Sequence, residues 1–401
     1  MDLGYGLQAS GAEIFRVEEA VNRLFQAYGA QGDVFAVNNC ILITLSGNGE
    51  PPLTRMRRVP AHGTNLDLME AYNAAARRLC AETMEFSAAK TILRTTRETV
   101  GTYSPALQVL GVALSAAAFC LYRQAGLMDA LWAGLCGAAA AQCYNALEKL
   151  GANAFFRTIL ASFAVSLLAY TLKALGWVYN LEAVTIGGQL LLLPGLVFTN
   201  FIRDLISGDT NAGLNKMMEA LLIAAAIAGG TALALSFAGA LFGPVSRDAV
   251  PLPWSLPLRC LCIGVTGVGI CLLFNVHGPG ILLTSLAAMV GCVVNLGLTQ
   301  VGVGSFGCSL GAAAAISVCA ELLARLRKCP ATPYLLVAIF PLVPGAGLYR
   351  ALDYALQGQS QLFLSTVLQT IAVAGCLAVG IMAVSSLVRL HHRWEHRHRG
   401  G

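Results

Sequence analysis

Leu191-Leu192-Leu193-Pro194-Gly195 and Leu342-Val343-Pro344-Gly345 each place a Pro-Gly step inside an apolar stretch, and the two steps lie 150 residues apart. Each is followed, thirteen residues after its Gly, by a further Gly, Gly208 and Gly358. Proline removes a backbone donor and clashes with the preceding turn, and glycine has the weakest helix propensity of the other residues, so each pair breaks a helix. A membrane helix broken at corresponding places in two halves of a chain points to a transporter binding site. The spacing therefore predicts a protein that moves a small polar solute across a bilayer.

Composition agrees with a membrane location. Hydrophobic residues make up 56% of the chain and charged residues 12%, and a soluble domain carries about twice that charge. The charges gather in residues 1–100 and in the last dozen positions. The stretch 105–388 is a string of apolar runs, each long enough to cross a hydrocarbon core. The N-terminus has no basic segment followed by an apolar one, so no secretory signal is expected and the first domain is expected to stay cytoplasmic. The thirteen cysteines form no Cys-x-x-Cys pair, and Cys260-Leu261-Cys262 has no zinc-spaced partners. They read as small buried thiols. No metal and no cofactor is called for. The net charge of +5 does not suggest nucleic acid, because the basic residues flank membrane segments.

Residues 1–100 read as a small α/β domain. Ile14, Val17, Val21, Leu24 and Phe25 fall at helical spacing across 8–28, with Gly29 as a stop. Residues 33–45 are strand-like, 54–59 alternate as an edge strand would, and Asn48-Gly49 between them is a turn signal. Residues 64–99 read as one long amphipathic helix, with Leu66, Met69, Ala76, Leu79 and Met84 as its apolar stripe.

The remainder divides into ten spans: 105–123, 127–147, 154–175, 184–206, 214–242, 256–275, 279–299, 304–326, 331–356 and 362–389. The fourth and ninth carry the Pro-Gly steps. An offset of 150 brings Pro194-Gly195 onto Pro344-Gly345, Gly208 onto Gly358 and Phe156 onto Phe306. Five spans per half is an odd number, so the halves, 101–248 and 249–390, must enter the membrane from opposite sides. The expected fold is thus an all-α polytopic membrane protein of two inverted five-span repeats, with a cytoplasmic α/β domain at 1–100 and a basic tail at 391–401.

Basic residues set the orientation. Lys90, Arg94, Arg97, Lys149, Arg157, Arg203, Lys216, Arg325, Arg327, Lys328 and the tail arginines fall on one side. Only Arg123, Lys173, Arg247, Arg259 and Arg350 fall on the other. Both termini are expected in the cytoplasm. The tail His391-His392-Arg393-Trp394-Glu395-His396 reads as a basic segment touching anionic lipid rather than as a metal tract.

Two constellations follow the breaks. Asn200, Arg203 and Asp204 share a helix face after the first, and Tyr349, Arg350 and Asp353 follow the second. In a binding site, Arg203 or Arg350 would take a carboxylate and Asp204 or Asp353 an ammonium or a coupling proton. The competing reading is charges at span ends facing water. Intramembrane amides, among them Gln142, Asn145 and Gln189, read as interhelical hydrogen bonding, and Glu321 as an ion pair with Arg325 four residues on. His277 reads as a solvated loop residue. There is no Walker A sequence, no Gly-x-Ser-x-Gly and no His-Glu-x-x-His, so neither ATP drive nor an enzyme is expected.

The opening Gln8-Ala9-Ser10-Gly11-Ala12-Glu13 through Arg16-Val17-Glu18-Glu19 resembles the start of the cytoplasmic domain of the threonine/serine exporter family. The segment Pro194-Gly195 to Asp204-Leu205-Ile206-Ser207-Gly208-Asp209 is similar to that family's first membrane unit. Pro341-Leu342-Val343-Pro344-Gly345 with Tyr349 is similar to its second, which some members carry as a separate subunit. The resemblance spans nearly the whole chain, with both units fused. It implies export of threonine and serine, or, as in two-subunit relatives, of a dicarboxylate such as succinate. The chain opens without the longer leader of some members, so regulation by such a leader is not expected. Pro194, Gly195, Pro344 and Gly345 would then open the backbone around the solute where the two broken spans meet. An alternative of another class is a membrane-anchored sensor or enzyme working through a cleft at Arg16, Glu18 and Glu19. A homo-oligomer and a coupling ion other than the proton both stay open.

Overall fold

The computed structural model describes residues 1–399 apart from 38, 48–50, 60–63, 207, 244–250 and 328. It divides into two units. The first is Met1–Tyr103 with Phe274–Gly278 and Ala324–Pro333, and the second is Ser104–Leu273 with Pro279–Leu323 and the chain from Tyr334 onward.

In the first unit, helices α1 (Asp2–Ala9) and α2 (Ile14–Ala27) precede strands β1 (Gln31–Val37), β2 (Cys40–Ser46) and β3 (Leu53–Arg58). Helices α3 (Leu66–Glu82) and α4 (Phe86–Thr99) follow. The strands form an antiparallel sheet in the order β1-β2-β3, which puts β3 at an edge, as its alternation predicts. Ile14, Val17, Val21, Leu66, Met69, Ala76 and Leu79 are buried, so both predicted apolar stripes face the core.

Three elements expected to be continuous are divided. The helix expected at 8–28 turns between α1 and α2, where Gly11 takes φ 94° and Ala12 N donates back to Leu7 O at 3.0 Å. The strand expected at 33–45 is a hairpin, since Val34 pairs with Ile43 and Val37 with Cys40. The helix expected at 64–99 breaks at Thr83, with φ 38° and ψ 57°, and Tyr28 Oη fixes the break by donating to Met84 O at 3.0 Å. The Asn48-Gly49 turn lies outside the described residues.

The charges proposed to line a cleft are tied up locally. Arg16 pairs with Glu13 at 3.2 Å and Arg23 with Glu19 at 2.7 Å, while Glu18 accepts from Ala36 N at 2.8 Å. His277 is held as well as solvated: its Nδ1 lies 2.7 Å from Asp67 Oδ2 and its ring stacks on Tyr103 at 4.0 Å. Leu66 N donates to Phe274 O at 3.0 Å, fastening the same segment. Burial pushes the Glu70 carboxyl above the usual carboxylate range, against the opposing pull of Arg327.

The second unit is helical. Its first set is α5 (Pro105–Tyr122), α6 (Leu127–Lys149), α7 (Ala154–Ala174), α8 (Leu181–Gly188), α9 (Gly195–Ile206) and α10 (Thr210–Phe242). The second is α11 (Leu256–Leu273), α12 (Gly280–Gln300), α13 (Ser305–Arg327), α14 (Thr332–Ile339) with a 3-10 turn at Phe340–Leu342, α15 (Gly345–Leu356) and α16 (Ser360–Arg399). Side-chain caps start several of them: Asn153, Asn180 and Asp209 accept from the backbone N–H groups of Phe156, Ala183 and Ala212.

Among the described residues, seven of these helices are long and apolar enough to cross a membrane, and an eighth span is counted if α14 and α15, bent by 41°, form one. Large apolar side chains such as Leu131, Leu222, Phe237, Leu286 and Leu368 face outward, as expected of surface meant for lipid rather than water. The chain is a multi-pass membrane protein. α6 is not among the seven; its second half carries Gln142, Tyr144 and Asn145.

The two sets run in step. α9 and α15 are each 12 residues long and begin at Gly195 and Gly345, and both are closed by a left-handed Gly, Gly208 at φ 90° and Gly358 at φ 72°. An L side chain would be strained there, which is why the second Gly of each sequence signature is needed. Earlier turns match as well: Gln124 and Asn275 take φ 65° and 55°, and Gly151 and Gly302 take φ 76° and 87°. Contacts between the sets are reciprocal, with α9 packing on α16 and α15 packing on α10.

Candidate functional site

Both Pro-Gly steps break their helices by the same hydrogen-bond pattern. Gly195 N donates to Leu193 O at 2.8 Å and Gly345 N to Val343 O at 2.7 Å, each closing a three-residue turn around the proline. Pro344, at φ −77° and ψ 45°, lies near the inverse γ-turn conformation. The helix then restarts, as Phe198 N donates to Pro194 O at 2.8 Å and Leu348 N to Pro344 O at 3.3 Å.

The two breaks meet. A Cβ built on Gly195 would lie 2.5 Å from Val343 Cγ1, and one on Gly345 would lie 3.0 Å from Leu193 Cδ1. Leu193 and Val343 are themselves partners at the offset of 150, so the contact is self-complementary in the way a two-fold axis requires. Phe119, Leu190 and Phe340 complete the junction around a void of about 10 Å³, room for at most about one water. Beyond it, Phe198 and Phe201 pack edge to face at 4.9 Å over Ala220, Ala374 and Leu348.

Three of the polar residues expected at the site, Arg203, Asp204 and Arg350, fall into two ion clusters. Arg203, buried to 8% exposure, lies 3.9 Å from Asp204, and Lys216 Nζ sits 2.5 Å from Asp204 Oδ2. Arg350 donates through Nε and Nη2 to Glu182 Oε1, both at 2.8 Å, and Arg123 Nη2 reaches the same oxygen at 3.3 Å. Thus Arg203 with Asp204, and Arg350, each hold counter-ions from other helices. Tyr349 is buried, Asn200 half-buried, and Asp353 accepts from Gln357 Nε2 at 2.7 Å. Among the described residues, no group of three or more His, Cys, Asp or Glu could hold a metal.

Two participants, Glu182 and Lys216, and one buried carboxylate outside the clusters, Asp129, escaped the sequence reading. Glu182 stands two residues before the expected start of the fourth span, and its partner Arg350 is 168 positions away. Lys216 reaches Asp204 only because the Gly208 turn folds α10 back onto α9. Asp129, buried at 1% exposure, accepts from the backbone N–H groups of Tyr179 and Asn180 at 2.7 and 3.2 Å. Gln189 fits its reading as an interhelical donor: its Nε2 reaches Ser162, Ser166 and Thr231 hydroxyls at 3.0, 2.9 and 3.2 Å.

Apolar helices in number, with the two Pro-Gly breaks packed against each other, define a multi-pass membrane protein. The chain belongs to the threonine/serine exporter family. A family model described as "Putative threonine/serine exporter" matches residues 1–238, and a second, "Threonine/Serine exporter, ThrE", matches 259–387. A Corynebacterium glutamicum protein named "Threonine/serine exporter" is 22% identical over 390 residues, 95% of this chain and 80% of that one. A Mycobacterium tuberculosis protein named "Probable threonine/serine exporter" is 21% identical over 380 residues, 92% of this chain and 72% of that one. No solved structure shows a significant match.

Proposed function

We propose that this chain is a secondary transporter exporting a small hydroxylated amino acid, threonine or serine, across the cytoplasmic membrane. It works with ten spans in two inverted five-span halves, coupled to a proton or another ion, with both termini in the cytoplasm. The observation that carries this reading is the reciprocal contact of the two Pro-Gly breaks, Gly195 on Val343 and Gly345 on Leu193. Opening that contact from one side or the other is an alternating-access step, since irregular backbone is tolerated at membrane depth only where protein or a water-filled cavity satisfies it. The matched turns and helix lengths of the two sets support the repeat, and the names of the relatives support the solute.

In this reading Pro194, Gly195, Pro344 and Gly345 form the moving junction. Arg203, Asp204 and Arg350 exchange their present ion partners for solute or coupling ion as the halves rock, with Asn200, Tyr349 and Asp353 beside them in the site. The test is efflux from proteoliposomes loaded with either threonine or succinate. Threonine is expected to leave faster than from protein-free vesicles, and the paired change Arg203→Ala, Asp204→Ala is expected to slow it at least tenfold. Succinate leaving while threonine stays would overturn the solute, and wild-type efflux by the paired variant would overturn the site.

A further inference from the structure

We propose that the solute is first captured beside the first break, not at the junction, in a cavity walled by the uncharged groups of Gln108, Tyr144, Asn145 and Thr158. This deepens the exporter reading and rests on it. The cavity measures about 320 Å³, at the lower end of the range of about 300–1,000 Å³ for small-molecule sites. The junction void of about 10 Å³ cannot hold any amino acid. Gly188 and Leu192 also line the cavity, so its wall includes the end of α8 where the chain leaves the helix.

The walls are held in place. The Tyr144 ring lies against the Arg157 guanidinium, 4.6 Å from centroid to Cζ, and Arg157 is fixed by Glu148 at 2.6 Å. Thr158 donates to Ala154 O at 2.9 Å. One turn further along α7, Ser162 belongs to the buried network that Gln189 makes with Ser166 and Thr231. That network ties the residue after Gly188 to α7 and α10, so the end of α8 cannot drift from the cavity.

The chemistry selects a solute of zero net charge. Among the described residues that line the cavity none is Asp, Glu, Lys or Arg, and a net charge taken out of water without a counter-ion is disfavoured. A zwitterion can be met by dipoles alone. The carbonyls that end α8 carry the negative end of its dipole and suit an ammonium. The Asn145 and Gln108 amides can donate to a carboxylate, and the Thr158 and Tyr144 hydroxyls can bond a side-chain hydroxyl. A dicarboxylate would bring two negative charges against a lining without a cation, the neighbouring Arg157 being already paired with Glu148.

The experiment compares threonine with alanine, which lacks the hydroxyl, in binding to purified protein and in proteoliposome efflux. Thr158→Val is expected to raise the threonine KM roughly three- to tenfold, the worth of one hydrogen bond, and to raise the alanine KM less. Thr158→Ser is expected to restore threonine. Ala141→Phe, which fills the cavity, is expected to abolish binding of both. Equal effects of Thr158→Val on the two solutes, or threonine binding to Ala141→Phe at wild-type strength, would overturn the cavity assignment. Should Ala141→Phe fail to fold, the Thr158 pair decides alone. A wild-type protein that releases neither solute overturns the exporter reading itself, a separate outcome.

Discussion

Gly195 and Gly345 each sit against a side chain of the other break, Val343 and Leu193, and that contact makes their small size a requirement. A methyl group at Gly195 would come within 2.5 Å of Val343 Cγ1 and 3.2 Å of its Cβ, closer than real side chains approach. Gly195→Ala is therefore expected to destabilise the protein by about 1–3 kcal/mol, the range for overpacking a well-filled interior. Val343→Ala, which removes the opposing methyls, is expected to recover most of that loss when combined with it. Thermal midpoints of the two single variants and the double variant, taken in one detergent, check this. Simply additive losses would show that the strain is not between these two residues. Leu193 against Gly345 is looser, at 3.0–3.1 Å, so the same exchange there should cost less.

Among the elements, the breaks in α8/α9 and α14/α15 were legible in sequence because proline and glycine act on their own neighbours. The same holds for Gly208 and Gly358, whose positive φ needs no tertiary partner. The division of α3 from α4 was not legible, since Thr83 has no preference for the left-handed conformation it adopts. Its φ of 38° is imposed on a β-branched residue by the capping bond of its N–H to Leu79 O and by Tyr28 holding Met84. Thr83→Gly should consequently raise the stability of residues 1–103 by about 1 kcal/mol, measured as a shift in the denaturation midpoint of the full chain; no shift, or a loss, would mean the turn is unstrained. The ion clusters lay beyond sequence for a different reason. Spacing on one helix brings Arg203 to Asp204, but only folding brings Glu182 to Arg350. The hairpin at residues 31–46 was hidden likewise, because its two strands read as one apolar run until their pairing divides them.

At the scale of the whole molecule the open number is the count of crossings. Seven helices pass on length and apolarity alone, whereas ten spans require α6 and both broken pairs to cross. α6 falls short on apolarity because it carries Asp129, Gln142, Tyr144 and Asn145; Tyr144 and Asn145 line the proposed capture cavity, where polarity suits a solute pathway. The two counts make opposite predictions at two exposed positions, Leu150 after α6 and Tyr179 before α8, at 81% and 69% exposure. With ten spans, Leu150 follows two crossings and shares the side of the N-terminus, and Tyr179 follows three and lies opposite. With seven, α6 does not cross and both positions exchange sides. On intact cells an impermeant thiol reagent should label Tyr179→Cys above the unsubstituted chain, whose thirteen native thiols set the background. Leu150→Cys should react only after permeabilisation. The reverse pattern would leave α6 outside the membrane and remove the five-span half, and with it the inverted symmetry that relates the two Pro-Gly breaks.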